Sequence, residues 1–169
     1  SQTFPHEKIY VVVVDGQSSD GTVDTARRIL ESSDLMGYEI VVKKCSIPEG
    51  RNICIEKMRG EMLFFWDSDV VIEPNGLCEF VEIMEKERAS IVTGHAKFIF
   101  IKNTLEEAEK EINAALDVKS EVACAEVPSA GMGHTLVSRA VFDSIRFDED
   151  LTIMEDYDFS TRARGKGFR

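Results

Sequence analysis

The sequence predicts an α/β fold, a three-layer α/β/α sandwich around a mostly parallel sheet, and two observations carry that expectation. Residues 9–15 (IYVVVVD) and 62–67 (MLFFWD) are short continuous apolar runs, each ending on an aspartate, the pattern of strands buried on both faces of a parallel sheet. Between them helical and extended segments alternate, giving a β-α-β-α-β series rather than blocks of one type.

In chain order, the strand at 9–15 is followed by an amphipathic stretch at 22–31, a shorter strand at 38–43 and a second helix near 49–58, before the strand at 62–67. Downstream, PNGLCEFVEIMEKER (74–88) sets Leu77, Phe80, Val81 and Met84 at helical spacing, with proline near the first turn. Strands are expected at 90–93 and 97–101. The Glu-, Lys- and Ala-rich stretch 104–119 has the composition of an exposed helix. Gly131 and Gly133 break the chain before a short helix at 138–145. No repeat, low-complexity tract or linker interrupts the series, so one domain over 1–169 is expected.

Lys and Arg number 20 against 31 Asp and Glu, a formal net charge of −11. Nucleic acid is therefore not an expected partner, because neutralising its phosphates takes clustered cationic side chains. With 43% hydrophobic and 30% charged residues, the composition is that of an ordinary folded domain. The apolar runs fall well short of the roughly 18 to 20 residues a membrane helix needs. Cys45, Cys54, Cys78 and Cys124 form no CxxC pair, so reduced structural thiols and a cytoplasmic location are expected, with peripheral membrane association left to regions outside this sequence. The chain opens on Ser1 rather than Met, and an upstream segment is expected.

Ligands of open parallel sheets gather beyond the carboxyl ends of the strands, and two strands deliver acids to that edge. The first runs into Asp15-Gly16-Gln17-Ser18-Ser19-Asp20-Gly21-Thr22. This is either a nucleotide-binding loop, with Asp15 accepting hydrogen bonds from a base or ribose, or a turn with a helix cap. The second ends in Asp67-Ser68-Asp69. In an extended backbone those two carboxylates share a face, and like charges so close call for a cation between them. Mg²⁺ or Mn²⁺ suits such a pair, completing its coordination with phosphate oxygens and water; two solvated acids at a strand end are the plainer alternative.

An acidic protein that binds a diphosphate needs positive charge. Arg51, in Gly50-Arg51-Asn52 at the start of the second helix, can supply it where the helix terminus also favours anions. Glu155-Asp156-Tyr157-Asp158-Phe159 either matches a helix dipole or supplies a general base, Asp156 or Glu155. His6, His95 and His134 are scattered and read as structural, and Trp66 as core. Phe98, Phe100 and Ile101 fit an acceptor groove or an ordinary sheet face equally well.

The segments VVVVDGQSSDGT (11–22), IPEGRNICIEKMRGEMLFFWDSD (47–69) and FDEDLTIMEDYDFSTRARGKGFR (147–169), in this order and spacing, resemble the family 2 glycosyltransferases of GT-A fold. The resemblance implies a Rossmann-like GT-A domain that transfers a sugar, with inversion, from a nucleotide diphosphate donor to a saccharide, lipid or protein hydroxyl, using Mn²⁺ or Mg²⁺. It implies that Asp15, Ser18, Arg51 and Asp67 contact the nucleotide sugar, Asp15 at the base and Asp67 nearer the ribose. Asp69, with Asp67, would hold the metal, and Asp156 would be the base, with Glu155 beside it. Family members ordinarily carry a further strand and helix ahead of this sequence, that strand lying between those that end at Asp15 and Asp67. A break in the central sheet is therefore expected, filled by another segment or by a second subunit in a homo-oligomer.

Two other readings compete. LFFWDSDVV also fits the haloacid dehalogenase phosphatase signature, with Asp67 as phosphoryl acceptor and Asp156 and Asp158 as Mg²⁺ acids; it leaves DGQSSDGT and the GRN segment unexplained. The third is a non-catalytic nucleotide-binding or interaction module, favoured by the missing strand and opposed by the intact DSD and EDYD.

Overall fold

The computed structural model describes residues 2–95, 105–116 and 124–169. The valine run forms β1 (Tyr10–Asp15), which pairs in parallel with β2 (Gly37–Val42), Tyr10 facing Gly37 and Asp15 facing Val42. The connection is α1 (Thr22–Glu31). Next comes α2 (Ile47–Lys57), which opens on a capping box: the Ser46 hydroxyl accepts from the Glu49 N–H, and the Glu49 carboxylate accepts from the Ser46 N–H at 2.7 Å. Two orphan amide groups are thereby satisfied, and the start of the helix is fixed.

The chain continues through β3 (Met62–Trp66), α3 (Gly76–Glu87), β4 (Ile91–Thr93), α4 (Leu105–Leu116), β5 (His134–Ser138), α5 (Arg139–Phe142) and α6 (Glu155–Gly165). A second sheet has the order β3-β5-β4, with β5 antiparallel to both neighbours; Trp66 faces His134 and Met62 faces Ser138. The pleat sends alternate side chains to opposite faces. Phe64 meets Phe80 of α3 edge-on at 4.9 Å, whereas Phe65 meets Phe142 and Phe147 on the α5–α6 side. Helices on both faces of a sheet give the expected α/β/α layering.

The core lies under β5, among Met132, Val137, Val141, Phe142, Phe147, Phe159 and Ala163. The Phe147 and Phe159 rings stack at 4.4 Å. Sequence patterning placed no strand at His134–Ser138, because HTLVS mixes polar and apolar residues; its Thr135, Leu136 and Val137 are nevertheless buried.

Among the described residues no pairing joins β1 to β3, the break expected between the strands ending at Asp15 and Asp67. Val11, Val12, Val13 and Val14 are consequently only half-buried, not enclosed on both faces as their continuous apolar run suggested. Trp66 is likewise not core: it is 47% exposed, and its indole N–H donates to the Val70 carbonyl at 2.7 Å. The strand expected at 97–101, with Phe98, Phe100 and Ile101, lies outside the described residues. The four cysteines are free, and burial pushes the Cys54 thiol up to about 11. No helix among the described residues is long and apolar enough to cross a membrane.

What ties β1 and α2 to the second sheet is the buried Asn52. Its Nδ2 donates to the Phe147 carbonyl at 3.0 Å and to Glu149 at 2.8 Å, and its Oδ1 accepts from the Phe147 N–H at 3.0 Å. Asn52→Ala strands two buried backbone groups and is expected to cost about 3 kcal/mol of stability. Urea unfolding should show the midpoint falling with an unchanged slope.

Candidate functional site

Asp15 ends β1 and is buried. The Ser18 hydroxyl, and then the Ser18 N–H, which donates to Oδ1 at 2.8 Å, hold the carboxyl below the usual aspartate range. Gln17 supplies the left-handed residue of the turn, at φ 72°. Further on, Asp20 accepts from the Thr22 hydroxyl at 2.6 Å and from its N–H at 3.1 Å, satisfying the start of α1. The turn-and-cap reading thus accounts for Asp20 and Thr22. It leaves Asp15 unexplained, a buried anion held in place by a loop.

The Asp67-Ser68-Asp69 segment departs from expectation. β3 stops at Trp66, and the Val70 N–H donates to the Asp67 carbonyl at 3.1 Å, so the two acids lie on a tight turn. The extended geometry that would set both carboxylates on one face is not adopted. Asp67 is braced instead by Gly133, whose carbonyl accepts from the Asp67 N–H at 2.8 Å. A Cβ at Gly133 would stand 2.6 Å from Asp67 Oδ2, so only glycine leaves the carboxylate where it is. Both acids are exposed. Among the described residues no three His, Cys, Asp or Glu side chains gather into a set that could hold an ion. Two exposed carboxylates fit the partial oxygen set of Mg²⁺ or Mn²⁺, which leaves positions for phosphate oxygens and water.

The third group opens α6. Glu155 is buried and pairs with Arg51 Nη1 at 2.5 Å, their side chains 11% and 12% exposed. The Arg51 guanidinium carbon also lies 5.5 Å above the Phe147 ring. Asp156, half-buried, accepts from the Tyr157 N–H at 2.7 Å. Asp158 is engaged by Arg162 at 2.5 and 2.8 Å. Ser160 donates to the Asp156 carbonyl at 2.8 Å and accepts from the Ala130 N–H at 3.1 Å.

Pairwise contacts connect these segments. Gly50 of α2 packs on β1, a Cβ there lying 3.7 Å from Val14, the neighbour of Asp15. Arg51 follows and reaches Glu155; Asp156 comes next and is joined through Ser160 to Ala130; Gly133, three residues on, holds Asp67. Sequence reasoning passed over Asn52, Phe147, Ser160 and Gly133. Only the last carried a visible signal, the Gly-Met-Gly run of residues 131–133. His134 is structural, its Nε2 lying 2.7 Å from the Gly94 carbonyl oxygen.

The fold is that of the GT-A glycosyltransferases. Residues 1–148 match the family model of glycosyl transferase family 2, and the chain belongs to that family. The match ends before Glu155 and Asp156. Among solved structures, the Pyrobaculum calidifontis mannosyltransferase PcManGT, in complex with GDP-Man and Mn²⁺, superposes at a TM-score of 0.74 with 20% identity over 99% of this chain and 46% of its own. S. aureus TarS in complex with UDP gives 0.69 with 19% identity over 96% and 47%. Related sequences include Glycosyltransferase AglE of Haloferax volcanii, 31% identical over 100 residues, 59% of this chain and 33% of AglE. The Poly(ribitol-phosphate) beta-glucosyltransferase of Bacillus spizizenii is 25% identical over 96% of this chain and 26% of its own length. The chain therefore spans a third or less of these two relatives. Family membership sets aside the phosphatase reading of Asp67.

A carboxyl pKa depressed in the folded state adds stability above the unfolded value, and that contribution is lost as pH falls through the folded pKa. Ser18→Ala removes the hydroxyl and should move Asp15 up toward the ordinary aspartate range. Carboxyl-carbon NMR titration of the two proteins checks this.

Proposed function

We propose that residues 1–169 form one donor-binding and catalytic domain of a metal-dependent, inverting glycosyltransferase, moving a hexose from a nucleotide diphosphate sugar to an acceptor hydroxyl. The observation that carries the reading is the family match over residues 1–148, in a chain whose Arg51 binds Glu155 and whose Ser160 joins Asp156 to Ala130. Structural neighbours were solved with UDP, UDP-GlcNAc and GDP-Man, and a diphosphate of that chemical class would need a divalent cation to meet an acidic chain.

In this reading Asp15, ionised and oriented by Ser18, accepts hydrogen bonds from the base or ribose. Asp67, nearer the ribose, and Asp69 would hold Mn²⁺ or Mg²⁺. When bound, the ion neutralises charge on the departing diphosphate. Asp156 accepts the acceptor hydroxyl proton as that oxygen attacks the anomeric carbon from the face opposite the diphosphate. The new C–O bond forms, the bond to the diphosphate oxygen breaks, the anomeric configuration inverts, and the proton stays on the Asp156 carboxylate. The motif places Arg51 at the nucleotide, but its side chain is buried against Glu155, which points to a different role. The four free thiols suit a reducing compartment, the cytoplasm.

The roles separate experimentally. With UDP and GDP as probes, Asp69→Ala should abolish the Mn²⁺-dependent part of binding in calorimetric titration. Asp156→Asn should keep that affinity within about twofold and lower hydrolysis of UDP-glucose, UDP-GlcNAc or GDP-mannose by about a hundredfold. Equal loss of both properties in both variants overturns the assignment, and binding without turnover in the unaltered protein favours a non-catalytic module. Gly133→Ala supplies an independent check. It drives a methyl against the mobile end of Asp67, so thermal unfolding should move by only about 1 kcal/mol, while Mn²⁺-dependent UDP binding should weaken about tenfold.

A further inference from the structure

The Arg51–Glu155 pair stands apart from the other ion pairs of the described residues. His6–Asp34, Lys57–Glu39, Arg139–Glu61, Lys86–Glu87 and Arg169–Glu87 each keep at least one side chain well exposed, and Arg162–Asp158 is one helical turn folded on itself. Arg51 and Glu155 are 104 positions apart and withdrawn from water together. Removing two charges from solvent is costly, and an apolar pair of similar volume commonly holds two elements at least as firmly. Stability alone gives little reason for the pair.

Its location does. Glu155 immediately precedes Asp156. The residue before it, Met154, sits in the left-handed region at φ 64°, a conformation unfavourable to a side chain and held only where the surroundings enforce it. Phe147, under the Arg51 guanidinium, stacks on Phe159 one turn further along α6 and is clamped on both backbone polar groups by Asn52. The first turn of α6 is therefore held on three sides: by Arg51 at Glu155, by Phe147 at Phe159, and by Ala130 through Ser160. Only the first of these is a charged contact, and it falls on the residue adjoining Asp156.

We propose that Arg51 and Glu155 are positioning residues for transfer: their buried ion pair fixes the first turn of α6 and so aims the Asp156 carboxylate at the acceptor hydroxyl. The proposal rests on the reading of Asp156 as the base. It assigns Arg51 to orientation of the base rather than to affinity for the nucleotide.

The test follows hydrolysis of whichever of UDP-glucose, UDP-GlcNAc and GDP-mannose the protein turns over, in Glu155→Gln, Arg51→Met, Arg51→Lys, the Arg51→Met/Glu155→Gln double variant and the Asp156→Asn reference. Each single loss should lower kcat about tenfold or more, with donor KM within about twofold. Arg51→Lys should recover part of the Arg51→Met loss. The double variant leaves no buried charge unpaired, so its thermal stability should return to that of the starting protein, while its kcat stays as low as that of the worse single variant. A purely structural pair predicts that stability and kcat return together, and that result overturns the proposal. So does a raised donor KM at unchanged kcat in Arg51→Met. Wild-type kcat in Asp156→Asn overturns the base reading and the proposal with it; loss there, with full activity in the double variant, overturns the proposal alone.

Discussion

The junction between α2 and the start of α6 is the constraint on which the rest of the molecule depends. β1 and β2 share no ladder with β3, β5 and β4 among the described residues, so sheet hydrogen bonding does not set the two halves relative to each other. Two consecutive residues of α2 contribute directly, beside Ile55 in the core and the Arg139 bonds to the Met58 and Gly60 carbonyls. Asn52 takes both polar groups of Phe147 and a carboxylate oxygen of Glu149, and Arg51 takes Glu155. Consecutive helix positions diverge by about 100°, so one face of α2 reaches the chain entering the core and the next reaches the first turn of α6. The apolar stack of Phe147 on Phe159 fills the space beneath them.

That junction also resolves an electrostatic difficulty. A chain of net charge −11 would repel itself if every acid were left unscreened. The structure disperses the problem in different ways. Asp15 is stabilised by hydrogen bonds from Ser18. Glu155 is cancelled by a guanidinium. Asp67 and Asp69 sit on an exposed turn, where water screens them and a divalent ion can reach them.

Much of this was legible in the sequence, and the exceptions have physical causes. The runs ending at Asp15 and near Asp67 declared themselves because continuous β-branched and aromatic segments have few other uses. β5 escaped notice because its burial comes from lying between two strands, which hides Thr135 as completely as Val137. No local pattern encodes that position. The turn at Asp67 was misjudged by extending strand geometry one residue too far, and Trp66 by letting hydrophobicity stand for burial when its indole N–H had a partner in the same turn. Asn52 stood in plain sight within Gly50-Arg51-Asn52, but its partners lie at Phe147 and Glu149. Contacts across that many residues leave no trace in a single sequence.

The same long-range contacts distinguish the acids of the EDYD segment, which composition leaves equivalent. Glu155, Asp156 and Asp158 all fall in the first turn of α6, where the helix dipole favours each of them. A carboxylate that must receive a proton during transfer cannot also be neutralised by a permanent cation, since the cation would hold it in the ionised form and block its approach to the hydroxyl. Glu155 is committed to Arg51 and Asp158 to Arg162. Asp156 is held by a neutral donor, the Tyr157 N–H, which orients the carboxylate without cancelling its charge. Its two acidic neighbours are each paired with an arginine.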